Sequence, residues 1–413
     1  MRKFIEEYER EALLILITML GVTRWWMPSV TGFWNMYGAS YWAISYEHGL
    51  VRRGLIGTIV KIFLPVVTVG AVDHIALVFY CLFLALLLAI LYVLLRHNDK
   101  DARLFRLALI FCAIPTTLAM FAHDLGRFDL FLTTTMVLCL VFLSLNKSIW
   151  LIPLLMTTAM FIHESFMILY APTIGAAMMF VYVREKKEKR MLATLVVSVV
   201  AVASAFAVLY KFGTPAMTYE QFFQFVQSRA DFRITDLSMR ECYFTLRDHV
   251  GVASSSLYDT GSIVNLFMAL LILSPVILIL CNLWTHALRN CGVHRRACQL
   301  FFLATLSGLI VIPIATDYGR WLSAIISCNF FAMFFLVKQG VIKTEELTEY
   351  SGDSFSLLFV LILLTYLLFG PFYDWNPYPY KDNVIYSSLS MIAVLLFDVG
   401  FLLRWKKLRA GRH

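Results

Sequence analysis

The sequence predicts an all-α, polytopic integral membrane protein, and three observations carry that expectation. The chain has 413 residues, of which 60% are hydrophobic and only 15% charged. Soluble chains run at about 25% charged. Apolar runs recur along the whole length, most near the ~20 residues that a helix needs to cross a bilayer. Lysine and arginine then alternate between the connections, with about two thirds of them in every second one.

The apolar segments follow in order. Spans are expected at residues 11–28, 73–95, 105–122, 128–146, 149–162, 165–183, 191–211, 263–285, 299–316, 322–337, 354–371 and 386–403, about twelve helices in all. Several are short, notably 149–162, and such helices must be tilted or enclosed by protein. The basic connections fall after Arg96, at Lys147, after Arg184, after Arg289 and after Arg404. That bias predicts both termini on the cytoplasmic side. The first ten residues carry mixed charge, and the run from Glu11 reaches Arg24-Trp25-Trp26 without a small-residue cleavage site. No cleavable signal peptide is therefore expected.

Residues 1–413 read as a single membrane domain with two long segments on the outer side. Residues 29–72 form a first external loop, within which 55–69 read as an interfacial or re-entrant helix anchored by Lys61. Residues 212–262 form an external cap, in which 219–226 have amphipathic helical spacing. No repeat between halves and no second soluble domain is visible.

Composition also narrows the chemistry. Most of the eight cysteines lie in apolar runs, so they form no disulfide framework. Cys291 and Cys298 flank a basic loop containing His294, but that spacing is not a zinc pattern. No metal and no cofactor is expected. The net charge of +8 follows from the positive-inside bias, so nucleic acid is not an expected partner and the lipid bilayer is.

Five polar clusters fall on the predicted outer side. They are residues 46–54 (Tyr46, Glu47, Arg52, Arg53), 123–129 (His123, Asp124, Arg127, Asp129), 163–165 (His163, Glu164), 317–321 (Asp317, Arg320, Trp321) and 373–377 (Tyr373, Asp374). Charged groups at a membrane boundary are expensive to desolvate, so a convergent set points to function. Guanidinium groups stay charged when desolvated and bind phosphate oxygens through two parallel hydrogen bonds. Arg52, Arg53, Arg127 and Arg320 suit a lipid-linked phosphate or pyrophosphate. The alternative is salt bridging to Asp124, Asp129 and Asp317, or snorkelling to headgroups. Asp124 and Arg127, three apart, would share a face if the helix continued through them. Gly49, Gly54, Gly57, Gly126 and Gly319 would allow backbone to approach a ligand closely, although packing explains each as well. His163 and Glu164 do not form a zinc motif, since the residue four after His163 is Met167. His163 suits proton transfer or a helix-packing hydrogen bond. Glu47, among Trp34, Tyr37, Tyr41, Trp42 and Tyr46, suits a base beside sugar-stacking rings, or a carboxylate in an interfacial aromatic belt. Asp398, in the last span, reads as structural.

The order of these motifs resembles that of exopolysaccharide and O-antigen polymerases of the EpsG/Wzy type. The elements are Tyr46-Glu47-His48-Gly49, then Arg127 opening a span, then Phe161-Ile162-His163-Glu164-Ser165 leading to Pro172, then Asp317-Tyr318-Gly319-Arg320. The resemblance implies joining of polyprenyl-pyrophosphate-linked oligosaccharides on the periplasmic or exterior side of a bacterial inner membrane. Other polysaccharide-assembly proteins would then be partners. It implies catalytic roles for Glu47, His163, Arg127 and Arg320. Arg52, Arg53, Asp124, Asp129, Glu164, Asp317, Tyr46 and Trp321 would bind substrate. Two alternatives stay open: a transferase using a polyprenyl-monophosphate sugar, with its acid in the first external loop, and a transporter or flippase.

Overall fold

The computed structural model describes residues 2–23, 36–98, 101–185, 188–244, 260–313, 317–343, 353–368 and 384–410. These residues are helical throughout, apart from turns and one isolated parallel bridge between Val67 and Ala230. The chain opens with α1 (Arg2–Thr23), then α2 (Met36–Trp42), a 3-10 turn (Tyr46–His48) and α3 (Gly54–Phe63). The next helices are α4 (Val69–His97), α5 (Ala102–Ala113), α6 (Leu118–His123), α7 (Asp129–Leu145) and α8 (Ile152–Ile162). A short α9 (Phe166–Leu169) leads into α10 (Ala171–Arg184) and then α11 (Lys189–Phe212). The described part of the cap holds α12 (Tyr219–Ser228) and α13 (Asp236–Tyr243). The remaining helices are α14 (Thr260–Ile272), α15 (Ser274–Asn290), α16 (Arg295–Thr305), α17 (Tyr318–Lys338), α18 (Asp353–Leu368) and α19 (Val384–Ala410).

Every segment expected to span coincides at least in part with one of these helices or helix pairs. By length and composition, six helical segments among the described residues can cross a membrane, and a seventh can if α14 and α15, bent by 63° at their junction, count as one. Helices α7, α8 and α18 are shorter apolar rods. The bend falls where Pro275 opens α15, because proline supplies no amide to continue the ladder.

Local chemistry sets the ends. The Thr68 hydroxyl accepts the Ala71 amide and caps α4. A reciprocal Thr218–Gln221 capping box opens α12. In α7 the hydroxyls of Thr133, Thr134 and Thr135 bond back to the carbonyls of Asp129, Leu130 and Phe131. That satisfies polar groups where no water competes.

Helix α17 is the centre of the bundle, with nearly every residue from Tyr318 to Val337 buried. It packs on α7, α15 and α16, while α8 packs on α7 and α11. At one end of this bundle α3 packs on α8, α2 packs on α3, α4 and the cap helix α13, and Trp42 of α2 meets Phe131 of α7. Helix α3 is shorter than expected and stops at Phe63. Its outward side exposes Ile59, Ile62 and Phe63, with Val66 exposed just beyond it. In the cap, α12 buries Phe222 and Val226, as its amphipathic spacing requires.

Candidate functional site

Four of the five polar clusters meet at the capped end of the bundle. The fifth, around Tyr373 and Asp374, lies outside the described residues, as does Trp34. The first loop is tied to the second cluster just ahead of the first. The Trp42 indole donates to the Gly126 carbonyl at 2.6 Å. Helix α6 ends at His123, and Gly126 has a φ of +93°. Asp124 and Arg127 therefore sit on a turn, the helix does not continue through them to give a shared face, and they lie 3.6 Å apart. Gly57 serves packing: a Cβ there would lie 1.9 Å from the Ile44 carbonyl oxygen. The close approach it permits is of α3 to the first loop.

The ion network has two halves. In the first, Arg320 donates through Nε and Nη2 to Asp129 at 2.9 and 3.1 Å, and through Nη1 to Asp317 at 2.7 Å. Arg127 lies 3.7 Å from Asp317 and over the Tyr37 ring at 4.8 Å. Trp321 lies beside the Arg320 guanidinium, 5.3 Å from its centre. Asp124, Arg127, Asp129, Tyr170, Arg320 and Ser323 line a space of about 10 Å³, enough for about one water.

In the second half, Arg52 is buried and donates to the main-chain carbonyls of Glu241 and Phe244. It also approaches Glu164 at 3.4 Å. Arg53 reaches Glu164 at 3.0 Å, Glu241 at 2.5 Å and the Tyr41 hydroxyl at 2.8 Å. The Tyr37 and Tyr41 hydroxyls donate to Glu241 at 2.6 and 2.5 Å. Arg53 has a φ of +63°, an unfavourable region for a residue with a Cβ. That conformation turns the guanidinium towards both carboxylates. Each of the four arginines identified from sequence thus has a carboxylate 2.5–3.6 Å away. The salt-bridge alternative describes this geometry, with carboxylates outnumbering arginines.

His163 joins the two halves, 3.6 Å from Glu164. Its Nδ1 accepts the Ser165 amide at 3.1 Å, which fixes the proton of the neutral ring on Nε2. Burial, reinforced by Arg53, lowers its pKa to about 3. A group that holds protons so weakly is a poor base near neutral pH. Burial opposes ionisation of Glu241, but Arg53 and then the two tyrosines override it and lower its pKa to about 2. Arg53 likewise holds Glu164 well below the usual carboxylate range.

These shifts predict acid sensitivity. Unfolded His163 takes up a proton below 6.5 and the folded ring does not until about 3. Stability is therefore lost as pH falls from 6.5 towards 3. Glu241 contributes stability that is full above 4.5 and lost as pH falls through about 2. Thermal unfolding of the detergent-purified protein between pH 7 and 4 is expected to show a falling midpoint. His163→Gln is expected to flatten the curve above pH 5. An unchanged slope in that variant would remove His163 as the cause.

Glu47 lies apart from this network. It is 37% exposed and paired with Lys61. With Ser45, Tyr46, Thr58, Lys61 and Ile62 it lines an open cleft of about 410 Å³. Among the expected site residues, Glu47 and Tyr46 line the open space, whereas His163, Glu164 and the four arginines are locked in the network. Sequence reasoning missed Glu241, Tyr37 and Tyr41 as parts of the network, and Arg229 buried 4.0 Å behind Glu47. Glu241 and Arg229 stand in the charged stretch of the cap, and nothing local marks their partners.

Asp398 accepts the Ser274 hydroxyl at 2.5 Å, a helix-to-helix bond. No group of three or more metal-ligating side chains occurs among the described residues.

Residues 11–161 match the model of a family described as "Uncharacterised membrane protein Rv1490". The similarity takes in Glu47, Arg52, Arg53, Asp124, Arg127 and Asp129, and ends just before His163. No curated protein and no solved structure matches the chain. The chain is an all-helical membrane protein with several apolar helices, similar over its first part to that family.

Proposed function

We propose that this protein transfers glycosyl groups from a polyprenyl-linked donor at the outer face of a bacterial inner membrane. The full topology in this reading has about twelve spans with both termini in the cytoplasm, which the distribution of basic residues supports. The observation that carries the reading is the meeting of four charged clusters with an aromatic first loop at one end of an apolar bundle. A transport pathway would instead place its charges near the midplane.

Two forms of the chemistry differ in donor. In a polymerase, Arg52, Arg53, Arg127 and Arg320 would neutralise a departing pyrophosphate while a hydroxyl of a second glycan attacks the anomeric carbon. In a monophosphate-dependent transferase, Glu47 would take the proton from the acceptor hydroxyl. The geometry favours the second form. The four arginines already face carboxylates, and the space between Arg127 and Arg320 holds no more than about one water. Glu47 faces an open cleft. The polymerase form requires the network to open first.

The test offers the purified protein each donor class in turn and resolves the products by size. Addition of a single sugar from a polyprenyl-phosphate donor is the expected result. A ladder of longer glycans from pyrophosphate-linked repeats would establish the polymerase instead. Inertness with both would move the reading to transport.

A further inference from the structure

We infer that the cleft beside Glu47 binds the phosphate of a lipid-linked phosphomonoester, held by Arg229, Lys61 and the Tyr46 hydroxyl. The inference deepens the proposed function and takes its ligand class from that reading. It is tested by binding alone, so its failure and the failure of glycosyl transfer are distinguishable.

The starting point is an unusual arginine. Arg229 is 5% exposed. Its backbone is pinned, because the Val67 amide donates to its carbonyl at 2.7 Å and the Asp231 amide donates to Val67 at 3.1 Å. Its Nη1 donates to the Ala43 carbonyl at 3.1 Å. Its Nε and Nη2 are buried without a hydrogen-bond partner. The nearest carboxylate, on Glu47, stands 4.0 Å from Nη1. A buried charged donor left unmatched is costly, and such groups ordinarily have partners. Of the arginines in the ion network, Arg52 leaves only its Nε without a partner, and each of the four has a carboxylate within 3.6 Å.

Its surroundings complete an anion site. Glu47 lies between Arg229 and Lys61, so two cations share one carboxylate. The Tyr46 hydroxyl is also buried without a partner. Two guanidinium N–H groups, an ammonium and a hydroxyl are the donors that a phosphate monoester needs. The main network differs in sign, since its carboxylates outnumber its arginines. The same cleft carries Ile62 on its wall, and the exposed side chains of Ile59, Phe63 and Val66 continue beyond it. That apolar margin suits a lipid chain and selects a membrane-borne phosphate over a soluble one. Glu47 bridges the two cations in this structure and gives way when phosphate takes its place between them.

The experiment measures binding of farnesyl phosphate to the full chain in detergent, with farnesol and inorganic phosphate as comparators. Farnesyl phosphate is expected to bind more tightly than either. Arg229→Gln is expected to weaken it by about tenfold or more, and Lys61→Gln by a smaller factor. Arg240→Gln, on the exposed side of the cap, is the control and should leave binding unchanged. Should Arg229→Gln fail to purify as a single species, the partly exposed Lys61 variant decides the matter. Wild-type affinity in both cleft variants would overturn the site. Equal binding of farnesol would overturn phosphate recognition, and equal binding of inorganic phosphate would overturn the lipid source. Binding as expected without any glycosyl transfer would support the site while removing the proposed reaction.

Discussion

Glu164→Ala is expected to destabilise the protein by about 3–5 kcal/mol, because it leaves Arg52 and Arg53 buried beside an empty space. Glu164 is 8% exposed, and its side chain is the carboxylate that both arginines share. Desolvating a guanidinium is tolerable only while its charge is matched nearby. Glu241 remains, but its carboxylate already serves Arg53, Tyr37 and Tyr41. The measurement is equilibrium unfolding in detergent, followed by circular dichroism. A double variant that also carries Arg52→Met is expected to recover part of the loss, since Glu164 is the carboxylate beside Arg52 whereas Arg53 keeps Glu241. A loss below about 1 kcal/mol would show that water reaches the arginines in the single variant and that the network is weaker than its geometry indicates.

Glu47→Gln is expected to abolish glycosyl transfer, by about 100-fold or more, with little change in stability. The two effects separate because of where Glu47 sits. Its pair with Lys61 is more than a third exposed on both sides, and such pairs contribute about 0–1 kcal/mol. The amide keeps the shape of the carboxylate and loses its capacity to accept a proton. The check is initial rate with a saturating polyprenyl-phosphate donor, beside the unfolding curve of the same preparation. Retained activity in Glu47→Gln together with loss in His163→Gln would move the base to His163, against the expectation from its depressed pKa.

The helices were legible in the sequence because bilayer-length apolar runs follow from a single physical requirement. The charge clusters were legible for the same reason, as interruptions of those runs. Their pairing was not. Arg53 meets Glu164 across 111 residues and Glu241 across 188, and local pattern carries no information at such range. Neither Arg52 nor Arg53 indicates whether its counter-charge is a ligand or a distant carboxylate. The Asp124–Arg127 spacing would put both on one face had the helix run on through them, but Gly126 at positive φ makes a turn there. Gly57 was open to both readings, and only the Ile44 carbonyl against it settles the choice as packing. Arg229 could not be separated from Arg233 and Arg240 in the same charged stretch. Its distinction is that two of its nitrogens are buried without a partner.

The spacing of the Arg53 contacts also has a consequence for how the chain is made. A ribosome adds roughly 5–20 residues per second. Arg52 and Arg53 leave it long before Glu164, and Glu241 follows only after α9, α10, α11, α12 and most of α13. The first loop therefore waits roughly 10–40 s for its last counter-charge at those speeds. During that interval two arginines sit at the membrane surface with every incentive to stay in water. Assembly of this end of the protein is thus ordered in time, and the cap is the piece that completes it.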